Sequence, residues 1–290
     1  MKTLIFKKRK ELQNFLLKNK SKTINLIPTM GNLHDGHLEL ISKAKENGNL
    51  NLISIYVNPL QFDQKDDFNN YPRTLEKDLK FLRKMGVEII FLPEKNFCIN
   101  DMSTINLGEI SRKLCGNFRK GHFEGVAIII LKFLLLINPE WIFLGEKDFQ
   151  QILVVKKIIK NFNLNVKVNS VETVRDTRGV ALSSRNQLIK NYDCLIKINK
   201  CLKEVRKKIL NGNFFLNNLE FYNKKLIESG IEKVFYLQIL KDSDLSKPNL
   251  KPNSCRIFLS CKIEGVSFID NLKLPGEIIV EKNGLVVSNS

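Results

Sequence analysis

The 290-residue sequence holds one tryptophan, three histidines and no C-x-x-C pair, and each scarcity excludes something. Its six cysteines (Cys98, Cys115, Cys194, Cys201, Cys255 and Cys261) are scattered, with no histidine at zinc-ligand spacing. That removes a structural zinc site and a dithiol redox motif, and leaves free, mostly buried thiols in a reducing compartment. No apolar run reaches the roughly 18 to 20 residues that a bilayer crossing needs. The longest, VAIIILKFLLLI at 126–137, is interrupted by Lys132 and reads as a buried helix. The basic start, MKTLIFKKRKELQNFLLKNK, has helically spaced apolar residues and no small-residue cleavage site after it, so no export signal is expected and the expected location is cytoplasmic. Internal repeats, low-complexity tracts and long flexible linkers are lacking too.

Acidic residues are also short: 30 Asp and Glu against 47 Lys and Arg leave a net charge of +17. A basic RNA-binding protein is one reading of that balance. The lysines, however, are spread along the whole chain, and no aromatic-and-basic stacking motif accompanies them. A solvated basic surface is the expectation, with attraction of anionic small molecules as a separate lesser reading, and with no nucleic acid and no membrane as partner.

What is present is a core, since 43% of the residues are apolar, and a regular alternation. Short apolar runs, TINLIPT (23–29), NLISIYV (51–57), VEIIFLP (87–93), WIFLG (141–145) and VKVNSV (166–171), are separated by helix-like spacing over 35–47, 73–85, 122–137 and 148–162. Strands alternating with helices predict a parallel sheet. Beyond SSRNQL the alternation stops. An amphipathic helix over 194–210 and another near 215–228 precede FYLQIL, RIFLSCKI and VSFIDNLKL, a pattern of helices followed by strands. The predicted fold class is α/β: a Rossmann-like nucleotide-binding domain over 1–178, then a smaller α+β domain over 179–290, with the boundary falling between 175 and 186.

Two of the three histidines stand in PTMGNLHDGHLEL, residues 28–40. If TINLIPT is the first strand of the sheet, MGNLHDGH turns at its carboxyl end and enters a helix, where ligands of open α/β sheets bind. Gly31 and Gly36 would permit a tight turn and close approach, and the free amides of a helix start favour a phosphate. The pattern is neither the P-loop nor the dinucleotide fingerprint. His34 and His37 would present imidazole donors instead. A lone histidine there would read as a cap or a packing residue, whereas H-x-G-H after P-T-M-G points to an anion site.

H-x-G-H is the signature of the nucleotidyltransferase and class I aminoacyl-tRNA synthetase superfamily, and the fuller P-T-M-G-N-L-H-D-G-H-L resembles the pantothenate synthetase family. Three more stretches are similar to that family in order: VNPLQFDQKDDFNNYPRTLEKD (57–78), LCGNFRKGHFEGVAIIILKF with FLGEKDFQQ (114–133 and 143–151), and VRDTRGVALSSRNQLI (174–189). Lys120 stands where the family usually has proline, Arg178 where it commonly has aspartate, and PGEIIVEKNGLVVSNS runs past its usual end.

The resemblance implies ATP-dependent joining of pantoate to β-alanine through a pantoyl-adenylate, with magnesium bound through the phosphates, in a homodimer. It implies catalytic roles for His37 (the proton donor), His34, Lys147 and Arg185. The ATP site it implies comprises Met30, Gly31, Asn32, Leu33, His34, Asp35, Gly36, His37, Gly145, Glu146, Lys147, Asp148, Val174, Leu182, Ser183, Ser184 and Arg185. Gln61, Gln151 and Asn58 would bind pantoate, as neutral amides that can both donate and accept. Asp148 could equally be an N-cap. Asn58, Tyr71 and Arg119 are weaker assignments, Arg73 could pair with Asp66 or Asp67, and His122 could be structural. Another H-x-G-H nucleotidyltransferase is the alternative enzyme, against which the Q-F and G-E-K-D-x-Q-Q segments argue.

Overall fold

The computed structural model describes residues 3–98, 104–212, 214–281 and 284–287. The chain divides into two compact units, Met1–Val174 and Arg175–Ser290.

In the first unit the elements run β1 (Leu4–Phe6), α1 (Arg9–Lys18), β2 (Ile24–Thr29), α2 (Asp35–Lys45), β3 (Leu50–Ile55), α3 (Lys65–Asn70), α4 (Leu75–Lys84), β4 (Ile89–Phe91), α5 (Cys115–Phe118), α6 (His122–Ile137), β5 (Trp141–Gly145), α7 (Phe149–Asn161) and β6 (Lys167–Val171). The six strands form one sheet in the order β1-β4-β3-β2-β5-β6, with every pair parallel. TINLIPT therefore supplies the second strand of the chain, because the short LIF at 4–6 pairs on the outer edge of β4.

The five predicted runs became strands because both faces of this sheet are buried, which makes a parallel strand read as nearly continuous apolar sequence. Successive residues go to opposite sides. Leu26, Leu52, Ile89, Phe91, Ile142 and Leu144 pack with Leu12 of α1 and Phe133 of α6. Ile27, Ile53, Ile90 and Phe143 pack with Leu40 and Ile41 of α2 and Leu82 of α4. The apolar run at 126–137 lies inside α6, which is too short to span a bilayer and is buried over most of its length. Among the described residues no helix is long and apolar enough to cross a membrane.

The second unit contains α8 (Asp193–Leu210), β7 (Phe214–Phe215), α9 (Asn218–Glu228), β8 (Lys233–Lys241), β9 (Cys255–Ile263), β10 (Val266–Lys273), β11 (Ile278–Glu281) and β12 (Gly284–Val287). Strands β10-β9-β8 form an antiparallel sheet, and β11-β12-β7 form a second one. The tail that runs past the family's usual end thus folds back as a hairpin. Its Ile278 and Leu285 are fully buried in the same core as Phe214, Leu202 and Ile257. Residues 282, 283 and 288–290 of that tail lie outside the described residues. All six cysteines are free, and Cys194, Cys201, Cys255 and Cys261 are buried in this core.

Candidate active site

With β1 set aside, the sheet winds outward in both directions from the β2–β5 pair, the switch point at whose carboxyl ends open α/β sheets hold ligands. Two of the motifs predicted from sequence emerge there. The loop after β2 carries Met30 to His34, and the turn after β5 carries Glu146, Lys147 and Asp148.

The histidine loop is built from unusual backbone. Gly31 and Asn32 have φ of +80° and +50°, consecutive residues in the left-handed region, where glycine and asparagine are tolerated best. Their turn is braced by buried Asp78 of α4, whose carboxylate accepts from the amides of Asn32 and Leu33, each at 2.9 Å. Gly36 has a different reason. It lies in ordinary helical backbone, but a Cβ there would sit 2.8 Å from Cε1 of His34. The glycine of H-x-G-H makes room for the first imidazole.

The two imidazoles cap α2 reciprocally. Nδ1 of His34 accepts from the amide of Gly36 at 3.1 Å, and Nδ1 of His37 accepts from the amide of His34 at 3.2 Å. A nitrogen that accepts carries no proton, so in both neutral rings the proton is on Nε2. The rings stack obliquely, 4.3 Å between centroids. Burial lowers the His34 pKa to about 4, helped by the Lys147 charge, with Asp35 and Asp148 opposing. Burial lowers the His37 pKa to about 3, helped by His34 and then Lys147. Both are neutral donors at pH 7, and the Lys147 ammonium lies close enough to act on each. The amides of Asn32, Leu33, His34, Gly36 and His37 are engaged within the protein.

Beside this loop is a second cluster. The Gln61 side chain is buried, with Nε2 donating to Sδ of Met30 at 2.8 Å and Oε1 accepting from Nδ2 of Asn58 at 3.2 Å. Asn58, also buried, donates to the carbonyl of Gly125 at 3.0 Å. The Gln61 carbonyl accepts from Nδ1 of His122 at 2.6 Å and from Arg119 at 3.2 Å, and Arg119 pairs with Asp63 at 3.3 Å. His122 is therefore a structural tie that holds the glutamine's backbone. Arg73 does not pair with Asp66 or Asp67. Its guanidinium donates to the carbonyls of Phe68, Asn69 and Tyr71 at the end of α3. Asp148 occupies the N-cap position of α7 but makes no capping hydrogen bond, and it is exposed.

Sequence reasoning missed Gln150. Its buried amide donates to the carbonyls of Ile110 and Lys113 at 2.8 and 2.7 Å and accepts from the amide of Cys115 at 3.1 Å, cinching the 110–115 segment. The adjacent Gln151 is half-buried. The Q-Q pair was legible, but which glutamine faced inward was not.

Val174 ends the first unit, and Leu182, Ser183, Ser184 and Arg185 belong to the second. All four are half-buried, and the amide of Arg185 donates to Oγ of Ser183 at 3.3 Å. Upstream, Arg175 forms a two-pronged ion pair with buried Asp270 of β10, both bonds 2.8 Å. The departing Arg178 lies over the Tyr192 ring, 4.1 Å from its centroid, with Asp176 beside it.

Comparison with known proteins gives these motifs a family. The model of the family described as pantoate-beta-alanine ligase matches residues 4–273. A pantothenate synthetase from Thermoanaerobacter sp. (strain X514) is 35% identical over 276 residues, covering 93% of this chain and 98% of that one. A bifunctional pantoate ligase/cytidylate kinase from Prochlorococcus marinus (strain MIT 9301) is 43% identical over 260 residues, 87% of this chain and 50% of the longer relative. Among solved structures, pantothenate synthetase from Thermus thermophilus superposes with a TM-score of 0.83 at 29% identity, covering 93% of this chain and 99% of that one. Pantoate-beta-alanine ligase from Francisella tularensis, complexed with beta-gamma ATP and beta-alanine, superposes with a TM-score of 0.79 at 33% identity, covering 94% of this chain and 98% of that one. With the ordered motifs, the winding of the sheet and these likenesses in agreement over nearly the whole length, the chain belongs to the pantoate-beta-alanine ligase family.

Proposed function

We infer that the protein joins pantoate to β-alanine at the expense of ATP, releasing AMP and pyrophosphate, and that the neutral imidazole pair at the head of α2 is its charge-stabilising centre. Membership of the family supports the reaction, and the reciprocal His34–His37 cap supports the centre. In the first step a carboxylate oxygen of pantoate forms a bond to the α-phosphorus of ATP as the bond to the pyrophosphate oxygen breaks. In the second, the β-alanine amine attacks the acyl carbon, loses a proton, and AMP departs. No enzyme nucleophile is required, so catalysis is positioning and electrostatics.

The Nε2–H groups of His34 and His37 donate to phosphate oxygens as negative charge moves toward the leaving pyrophosphate, and Lys147 neutralises part of it. With its pKa near 3, His37 works as a hydrogen-bond donor and delivers no proton at pH 7. Ser183, Ser184 and Arg185 carry hydroxyl and guanidinium donors of the kind a triphosphate accepts from, the role the resemblance implies for them. Gln61 binds pantoate by exchanging its contact with Met30, since a thioether is a weak acceptor that a hydroxyl or carboxylate oxygen outcompetes. Gln151 supplies a second amide. Among the described residues no three His, Cys, Asp or Glu side chains are grouped to hold a metal ion; the resemblance implies that magnesium would be held through the phosphates of ATP and would offset part of their charge.

Free cysteines suit a reducing compartment, and we place the protein in the cytoplasm as a homodimer, the assembly the resemblance implies. Sedimentation at twice the 33.5 kDa chain mass is the expected result, and a monomer at micromolar concentration contradicts it. Product analysis with ATP, pantoate and β-alanine tests the reaction: AMP and pantothenate in equal amounts are expected, and ADP or a nucleotide-linked product overturns it. For the substrate site, calorimetric titration of Gln61→Ala and Gln151→Ala should show weaker pantoate binding by about 1 to 3 kcal/mol with ATP binding kept. Parent-like pantoate binding by both variants would remove these residues from the site.

A further inference from the structure

We propose that Asp78 is a positioning residue for adenylate formation: its carboxylate latches the loop that carries the two imidazoles. The proposal rests on the reading of His34 and His37 given above. Asp78 is about 2% exposed and lies on α4, far in sequence from the loop it grips. Oδ2 accepts from the Asn32 amide and Oδ1 from the Leu33 amide, a fork closing on two successive N–H groups. Thr74, the N-cap residue of α4, places its hydroxyl 3.2 Å from both carboxylate oxygens.

The successive amides of Asn32 and Leu33, which follow the left-handed Gly31, turn to the same side, so that one anionic group can accept from both. Here an internal carboxylate is that group. Two consequences follow. The backbone is held up to Leu33, the residue before the N-cap, and from there the Nδ1 hydrogen bonds propagate the placement to both rings: His34 amide to His37, Gly36 amide to His34. The two amides are also closed to phosphate, so the nucleotide's charge goes to the imidazoles and Lys147. Gly31 belongs to the same device, since a Cβ there would lie 3.0 Å from Oδ2 of Asp78.

The test is a double-mutant cycle read by pantoate-dependent exchange of pyrophosphate into ATP. Asp78→Asn keeps the shape but turns an amide NH2 toward a backbone N–H. Displacing aligned groups by a fraction of a bond length is expected to lower the exchange kcat about 100-fold, with a smaller change in the KM for ATP. In a His37→Ala background the same substitution should cost no more than about twofold, because groups acting as a unit are lost only once. Equal losses in both backgrounds, or a parent-like kcat for Asp78→Asn alone, overturn the proposal. Near-normal exchange by His37→Ala alone sinks the reading of the histidines instead. If Asp78→Asn does not fold, Thr74→Val removes one bond to the carboxylate and is expected to cost about 10-fold. That loss should be masked by His37→Ala in the same way, and additive losses overturn the latch.

Discussion

A free imidazole gains a proton near pH 6.5, but His34 and His37 in the folded protein do so only near pH 4 and pH 3. Between those values the unfolded chain binds protons that the folded chain does not, so the histidines' contribution to stability is full above about pH 6.5 and is lost as the pH falls toward 4. The same shift governs activity. The exchange half-reaction should be flat in kcat from about pH 5.5 to about pH 8, because neither ring changes charge there. A limb with an apparent pKa near 6.5 would mean that one imidazole works protonated. Removing a donor is a separate matter: His34→Ala, His37→Ala and Lys147→Ala should each depress adenylate formation by about 100-fold or more, while the two histidine variants, which also lose a capping bond of α2, should cost only about 0.5 to 2 kcal/mol of stability. Single-turnover measurement of adenylate separates this from slower product release.

At the scale of elements, two glycines and one hairpin carry the argument. A Cβ on Gly125 would stand 2.2 Å from the Leu60 carbonyl oxygen and 2.7 Å from the Gln61 amide nitrogen, both backbone atoms that a rotamer change cannot move. That contact is how α6 holds the turn bearing Asn58 and Gln61. Gly125→Ala should therefore destabilise the protein by about 1 to 3 kcal/mol and raise the pantoate KM together. Thermal unfolding beside steady-state kinetics checks both. Gly116 is similarly confined by the Ser111 carbonyl. The β11–β12 hairpin buries Leu285 completely against the core of the second unit. Leu285→Ala should cost about 2 to 5 kcal/mol in urea unfolding. A change within about 0.5 kcal/mol would mark the hairpin as a surface addition.

Over the whole molecule, legibility in the sequence followed from which contacts are local. The strands at 23–29, 51–57, 87–93, 141–145 and 166–171 were readable because a doubly buried parallel strand carries its apolar signal in its own residues. LIF at 4–6 was not, being three residues inside a basic segment with helical spacing. The tail carries two apolar triplets, IIV and LVV, which pair as β11 and β12, but neither alternates with polar residues as a half-buried strand would. At the site, residue types were legible and their partners were not. His34 and His37 announce an anion site, yet the carboxylate bracing them comes from α4, and Gln150 and Gln151 differ in burial in a way that no local pattern encodes. Arg178, readable only as an added charge, proves to be stacked on Tyr192.

The central claim is that the carboxylate of pantoate is adenylated before the amine arrives. Exchange of labelled pyrophosphate into ATP, run with each substrate alone, tests it most directly. The account predicts exchange with ATP and pantoate in the complete absence of β-alanine, and none with ATP and β-alanine. Exchange that appears only when the amine is added would contradict it.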